Sequence, residues 1–164
     1  MGEKRIADSA RAAKAYFSLI DAAHTLEAFL ARPLAPAKLT LGQFRVLETL
    51  LRSGAQAQGT LVDLHFRSEG TGSSTLAGLE RRGLIVRRDL EGDGRKWKVH
   101  LTPEGQALAA KVLPRHTNLV RAKMAALNGR EQNVLWKLCD KLTVGNPMRF
   151  ISELTLVDEE EFTT

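Results

Sequence analysis

The sequence predicts a mainly helical chain that carries one small β-hairpin. Three observations support this fold class. Apolar residues recur at helical spacing through most of the 164 residues. Two strand-like stretches, Leu84–Asp89 and Arg95–Leu101, flank the turn-forming segment Glu91–Gly94. Proline and glycine stand where the helical patterns begin or end.

The first part of the chain contains three predicted helices. The first covers Asp8–Arg32, and the proline-containing segment Pro33–Lys38 after it is predicted to be a linker. Thr40 is a good N-cap for the second helix, and the third helix is short and covers Thr60–Phe66. The buried stripe of the second helix comprises Leu41, Phe44, Leu47 and Leu51.

A fourth helix is predicted from Thr71 to Arg82, after a turn over Arg67–Gly70. Leu76 and Leu79 form its buried stripe, and Gly83 supplies the residue that ends it. Short hydroxyl side chains at the start of a helix cap free N–H groups and also contact nucleic acids. The residues expected to do so are Ser73, Ser74 and Thr75.

The hairpin is predicted to have one packed face and one cationic face. In its second strand Trp97, Val99 and Leu101 alternate with Lys96, Lys98 and His100. A helix followed directly by a cation-rich hairpin is typical of a winged helix-turn-helix, which reads one groove of DNA and grips the neighbouring backbone.

The last part of the chain is predicted to be helical again. Thr102 and Pro103 begin a long helix that reaches Leu127 and is kinked at Pro114, and a final helix covers Arg130–Leu142. The inward positions of the final helix are Val134, Leu135, Leu138 and Leu142.

The terminal helices have more apolar surface than a winged domain of about 60 residues can cover, which favours a homodimer. The expected dimerisation residues are Tyr16, Phe17, Ile20, Leu135, Leu138 and Leu142. Ordinary core packing is the safer interpretation of the first three. A monomer whose ends pack on its own core is the alternative.

Three motifs in the same order resemble the MarR family of bacterial transcriptional regulators. They are LERRGLIVR at 79–87, DGR at 93–95 and LTPEG at 101–105, and LGQFRVL at 41–47 resembles the start of the helix that precedes the helix-turn-helix. The resemblance implies a fold with an N-terminal dimerisation helix and linker (1–38), a winged helix-turn-helix (39–102) and C-terminal dimerisation helices with a tail (103–164). It also implies that Asp93 orients Arg95 in the minor groove, although here Gly94 separates the two.

The expected DNA contacts form two groups. The recognition-helix group is Thr71, Ser73, Ser74 and Thr75, and the wing group is Arg87, Arg88, Asp93, Arg95, Lys96 and Lys98. Without arginines at the usual helix positions, bidentate reading of guanine from this helix is lost, and the wing gains importance. Ion pairs within a solvated hairpin are the alternative explanation of the wing charges.

The sequence therefore predicts a homodimeric regulator that binds double-stranded DNA and represses transcription. The alternative is a winged-helix module whose hairpin binds an acidic protein. By resemblance, a small aromatic or phenolic effector is expected near His24, Phe44 and Arg45. Packing explains Phe44 equally well.

Several other classes of function are not favoured. The net charge of +5 suits a polyanionic partner. No catalytic motif, cofactor motif or metal-ligand spacing occurs, so we expect no enzyme activity, no cofactor and no metal site. Cys139 is interpreted as a small buried hydrophobe rather than a redox sensor. Neither a signal-like segment nor an apolar run long enough to span a membrane is found, so a cytoplasmic protein is expected.

Overall fold

The structure, a computed structural model, describes residues 2–89 and 97–143, with side chains from residue 8 onward. Its helices are α1 (Gly2–Ala31), α2 (Leu41–Ser53), α3 (Gln58–His65), α4 (Glu69–Arg81), α5 (Pro103–Met124) and α6 (Gly129–Leu142). Its strands are β1 (Gln56–Ala57), β2 (Ile85–Asp89) and β3 (Trp97–Leu101), which form an antiparallel sheet in the order β1-β3-β2. The predicted fold class is confirmed, with β1 as a third strand that the sequence did not reveal.

The segment between α1 and α2 is not the predicted linker. Arg32–Ala37 form a 3₁₀ helix, and Leu34 within it is fully buried. Lys38 then adopts a positive φ of 52°. The Arg82 guanidinium donates hydrogen bonds to the carbonyl oxygens of Ala37 and Lys38 at 3.0 and 2.7 Å. Since carbonyls at a helix end lack intrahelical partners, Arg82 satisfies two groups that would otherwise need water.

Helix α2 lies at the centre of the core. The Thr40 hydroxyl accepts a hydrogen bond from the Gln43 N–H at 3.2 Å, and the Gln43 side chain accepts one from the Thr40 N–H at 3.1 Å. This capping box confirms the predicted start of the helix. Fully buried apolar side chains from all parts of the domain meet around α2: Leu34, Phe44, Val46, Leu47, Leu61, Leu76, Leu79, Ile85 and Val99.

A tight junction joins α4, β2 and α5. The Thr102 hydroxyl accepts a hydrogen bond from the Gly105 N–H at 3.0 Å and donates one to the Gly83 carbonyl oxygen at 2.6 Å. A Cβ atom at Gly105 would stand far inside van der Waals contact of the Leu84 carbonyl oxygen. Only glycine permits this approach, so the L-T-x-x-G pattern has a packing reason.

The last two helices differ from the prediction in how they pack. Helix α5 runs through Pro114 and ends at Met124, and α6 is capped by Asn128. No residue of α6 is buried within the described chain. The expectation that Val134, Leu135, Leu138 and Leu142 pack inward is therefore wrong for a single chain, where they are 37–72% exposed. The tail from residue 144 lies outside the described residues.

Candidate nucleic-acid interface

The recognition helix α4 begins earlier than predicted. Ser68 caps it by accepting a hydrogen bond from the Thr71 N–H at 3.3 Å. The hydroxyl residues Ser73, Ser74 and Thr75 were expected to supply the cap and do not. The predicted turn over 67–70 is therefore wrong in its second half, because Glu69 and Gly70 already belong to the helix. This earlier start places Ser73, Ser74 and Thr75 within the body of the helix and not at its first positions.

The outer face of α4 carries small polar side chains. Thr71 and Ser74 are exposed, and Thr75 is partly exposed, and their i, i+3 and i+4 spacing places them on one face. The Thr75 hydroxyl donates to the Thr71 carbonyl oxygen at 2.8 Å, so toward a ligand it acts as an acceptor. Ser73 is half-buried on another face of the helix.

Two exposed arginines, one in α4 and one just before it, were not predicted as DNA contacts. Arg81 lies two helical turns after Ser74, and Arg67 lies in the connection between α3 and α4. The sequence could have indicated both arginines. Arg81 is seven residues after Ser74 and so lies on the same helical face, and Arg67 directly precedes the capping Ser68.

Gly72 allows α4 to lie close against α3. It is buried, and a Cβ atom there would stand 2.8 Å from both methyl carbons of Val62 and 3.1 Å from the Phe66 ring. Since carbon atoms attract each other best at about 3.5–4.0 Å, no side chain fits at this position without movement. From the sequence this glycine was expected only to weaken the helix, whereas in the structure it has a packing role.

The sheet beneath the wing has the two faces that the alternation predicts. Val99 is fully buried on the packed face and Leu101 is half-buried, whereas Trp97, which was expected to pack with them, is 37% exposed. In the antiparallel register Arg88 pairs with Lys98, and Val86 pairs with His100. Residues paired in this way share a face of the sheet, so the outer face presents Arg88, Lys98 and His100 together. Burial, reinforced by the neighbouring Arg88 and Lys98 charges, lowers the pKa of His100.

Arg87, which was expected to contact DNA, points toward the packed side of the sheet. Its Nε donates to Glu80 Oε2 at 2.9 Å, and its Nη1 donates to Gln58 Oε1 at 3.4 Å. Its backbone N–H donates to the other carboxylate oxygen of Glu80 at 3.3 Å. These hydrogen bonds lower the pKa of the Glu80 carboxyl and raise the pKa of Arg87. The remaining predicted wing residues, Asp93, Arg95 and Lys96, lie outside the described residues.

The residues expected at a dimer interface are exposed in the single chain. Tyr16 and Phe17 on α1 are 60% and 61% exposed, so core packing does not account for them. Ile20 is half-buried. On α6, Leu138 and Leu142 are 55% and 72% exposed. Cys139, in the same helix, is half-buried and free.

The three residues expected to hold an effector are only partly brought together. The Phe44 ring is fully buried, and its centroid lies 4.3 Å from that of His116 in α5. Arg45 pairs with Glu27 of α1 at 3.4 Å, and His24 is exposed on α1. A cavity of about 580 Å³ lies elsewhere, between α3, the start of α4 and Trp97.

Two buried histidines near Arg45 were not selected from the sequence. His116 is 9% exposed, and its Nε2 has no hydrogen-bond partner. His65 Nε2 lies 2.9 Å from the Thr49 hydroxyl, while its Nδ1 has no partner. Burial, reinforced by the Arg45 charge, lowers the pKa of His116 and lowers that of His65 to about 4. Both rings are therefore neutral near pH 7.

Comparison with known proteins agrees with this geometry. Residues 37–96, from the 3₁₀ helix to the wing, match the sequence profile of the MarR family. The chain belongs to this family. MarR proteins are DNA-binding transcriptional regulators and not enzymes. Membership favours the DNA-binding interpretation over the protein-interaction module.

Individual relatives support the same conclusion. The transcriptional regulator PecS of Dickeya dadantii is 31% identical over 108 residues, which cover 64% of this chain and 65% of PecS. The transcriptional repressor YetL of Bacillus subtilis is 28% identical over 130 residues, which cover 77% of both chains. A structure of BpsR from Bordetella bronchiseptica, whose DNA binding is regulated by 6-hydroxynicotinic acid, superimposes with a TM-score of 0.71. It has 26% identity over 79% of this chain and 98% of BpsR.

The described part of the chain lacks two further features. None of the described helices combines the length and apolar character that a membrane span requires. Nor does this part of the chain contain a group of three or more His, Cys, Asp or Glu side chains arranged to hold a metal ion.

Proposed function

We propose that this MarR-family regulator acts as a homodimeric repressor that binds a pseudo-palindromic operator and is released by a small aromatic acid. The observation that carries the dimer is the exposed apolar surface on α1 and α6. An amphipathic helix is stable in water only when its apolar face is covered, and α6 has no buried residue in one chain. A second copy of the chain covers both helices at once.

The DNA contacts are proposed to come from two surfaces of each protomer. Thr71, Ser74 and Thr75 of α4 contact the major groove, and Arg81 extends this surface. Arg88 and Lys98 on the outer face of the sheet, together with Lys96, hold the neighbouring backbone, and Arg95, oriented by Asp93, enters the minor groove. In a two-fold dimer, recognition helices about 34 Å apart match one turn of DNA.

The dimer is tested by placing one charge on each side of α6. Leu138→Lys introduces a cation into the proposed interface, and Asn133→Lys introduces the same cation at an exposed position outside the apolar stripe. We expect Leu138→Lys to yield monomers by light scattering and to lose operator affinity, whereas Asn133→Lys remains a dimer and binds DNA. Equal masses for the two variants would refute the proposed interface.

The effector site is proposed at Arg45, with Phe44, His24 and the additional His116 around it. The Arg45 guanidinium suits a carboxylate, and the buried Nε2 of His116 has an unused hydrogen-bonding position. YetL is a repressor, and BpsR is regulated by a hydroxylated aromatic acid, which supports both parts of the proposal.

A panel of hydroxylated aromatic carboxylic acids, titrated into the protein–DNA complex, tests this site. We expect at least one acid to release the wild-type protein and to act far more weakly on Arg45→Gln. Release of both proteins at the same concentration would place the site elsewhere, for example in the cavity beside Trp97.

A further inference from the structure

Three elements of the DNA-binding unit meet at one side chain, that of Arg87. This residue lies on β2, its guanidinium and its backbone N–H both bind the Glu80 carboxylate on α4, and the guanidinium also reaches Gln58 at the start of α3. The guanidinium Nε and Nη2 both donate to Oε2 of Glu80, and the backbone N–H donates to Oε1, so Arg87 engages both carboxylate oxygens. The link therefore connects the wing to the recognition helix and to the first helix of the helix-turn-helix.

The register of the sheet explains why Arg87 differs from its neighbour Arg88. Arg87 is paired with Val99, whose side chain is fully buried, whereas Arg88 is paired with Lys98 on the outer face. Adjacent residues of a strand point to opposite faces. Arg87 is thus directed toward the packed side of the sheet, and each of its three guanidinium nitrogens already donates a hydrogen bond within the protein.

We propose that Glu80 and Arg87 are positioning residues, which set the angle of the wing relative to the recognition helix and so allow both surfaces to engage DNA together. This inference rests on the proposed DNA contacts of α4 and the wing. Between Arg81 and β2 the chain passes through Gly83, which has a φ of 67°, so the backbone connection is a short turn. The Glu80 and Arg87 side chains form a second connection across it.

The pair is half-exposed, with side-chain exposures of 33% for Glu80 and 29% for Arg87. Solvent screening keeps the contribution of such pairs to stability small. The main consequence of breaking it is therefore a change in the direction of the wing, not unfolding. This separates a positioning role from a structural one.

Replacement of the acid distinguishes positioning from direct contact by the sign of its effect. If Arg87 held a DNA phosphate, Glu80→Gln would free the arginine and remove a negative charge, so affinity would rise. If the pair positions the wing, Glu80→Gln weakens binding although it makes the protein more positive. Glu69→Gln is the matched control, since Glu69 is an exposed carboxylate in the first turn of the same helix.

The experiment measures binding of wild type, Glu80→Gln, Arg87→Gln, the double variant and Glu69→Gln to one duplex, with thermal unfolding recorded for each. We expect Glu80→Gln and Arg87→Gln each to bind roughly tenfold more weakly, and the double variant to lose no more than either single variant, as coupled partners do. Glu69→Gln is expected to bind as well as wild type or better. The unfolding midpoints should remain close together.

Each result has a defined meaning. If the wild-type protein binds the duplex and Glu80→Gln binds it equally well or more tightly, the positioning role is overturned and the proposed function remains intact. Weakening that follows a matching fall in thermal stability also overturns it, because the pair would then be merely structural. A wild-type protein that does not bind duplex DNA overturns the proposed function, and this inference with it.

Discussion

Gly72 offers a sharp test of how the recognition helix is held. Replacement by alanine at a free helical position stabilises a protein by up to about 1 kcal/mol. At Gly72 the new Cβ would lie 2.8 Å from both Val62 methyl carbons, and Val62 is itself 94% buried. A β-branched side chain has little rotamer freedom in a helix, so α3 and α4 must move apart. Overpacking of this kind costs about 1–3 kcal/mol, which exceeds the helical gain.

The matched variant is Gly78→Ala in the same helix, where the new Cβ would be 3.5 Å from the Gln43 side-chain nitrogen, an ordinary contact. By chemical unfolding at one fixed protein concentration, we expect Gly72→Ala to lose about 1–2 kcal/mol and Gly78→Ala to gain about 0.5–1 kcal/mol. In a Val62→Ala background the cost of Gly72→Ala should largely disappear, because the clashing methyl groups are gone. A stabilising effect of Gly72→Ala in the wild-type background would refute the close packing of α3 and α4.

Three further predictions concern other parts of the molecule. Gly105→Ala should cost more than about 3 kcal/mol or prevent folding, since its Cβ would collide with the Leu84 carbonyl oxygen, and expression with circular dichroism measures this. The pKa of His65 falls from 6.5 to about 4 on folding, so as the pH is lowered the unfolded chain binds a proton at a higher pH than the folded chain does. The free energy of unfolding should therefore fall by about 3 kcal/mol between pH 6.5 and 4. His65→Gln should flatten that part of the pH profile, and an unchanged slope would assign it to other groups. Lys98→Ala should make the negative slope of log affinity against log salt shallower by about 0.9. An unchanged slope would mean that Lys98 neutralises no phosphate.

The elements of the fold were largely predictable because their signals are local. Thr40 with Gln43 three residues later, Thr102 before Pro103, and Gly83 at a helix end are short patterns with direct physical meanings, and each stands where the structure uses it. The alternation in β3 likewise placed Val99 on the buried face, although Trp97, expected on the same face, is 37% exposed.

Features that depend on pairing between distant segments were not predictable. Strand β1 is only Gln56–Ala57, too short to show any period, and it exists because β3 lies beside it. The direction of Arg87 was hidden because Leu84, Ile85 and Val86 before it are all apolar, so no alternation marks the buried face. Only the register with β3 decides it.

The start of the recognition helix was missed because of its composition. The stretch Glu69–Gly72 contains two glycines and has a low helix propensity, which favoured a turn. The Ser68 cap and the packing of Gly72 against Val62 compensate for this weakness, and the second of these depends on tertiary structure. Ser68, followed directly by the acidic Glu69, was the local signal that could have located the start of α4.

Operator binding by a dimer can be measured on DNA from beside the protein's own gene. Fluorescent duplexes that span this region, and scrambled duplexes of equal length, are titrated with protein at two salt concentrations, and the mass of the complex is measured. We expect the native duplex to be bound more tightly than the scrambled one, the affinity to fall with salt, and two protomers to occupy each site. Equal affinity for both duplexes, or one protomer per site, would contradict a dimeric operator-binding regulator.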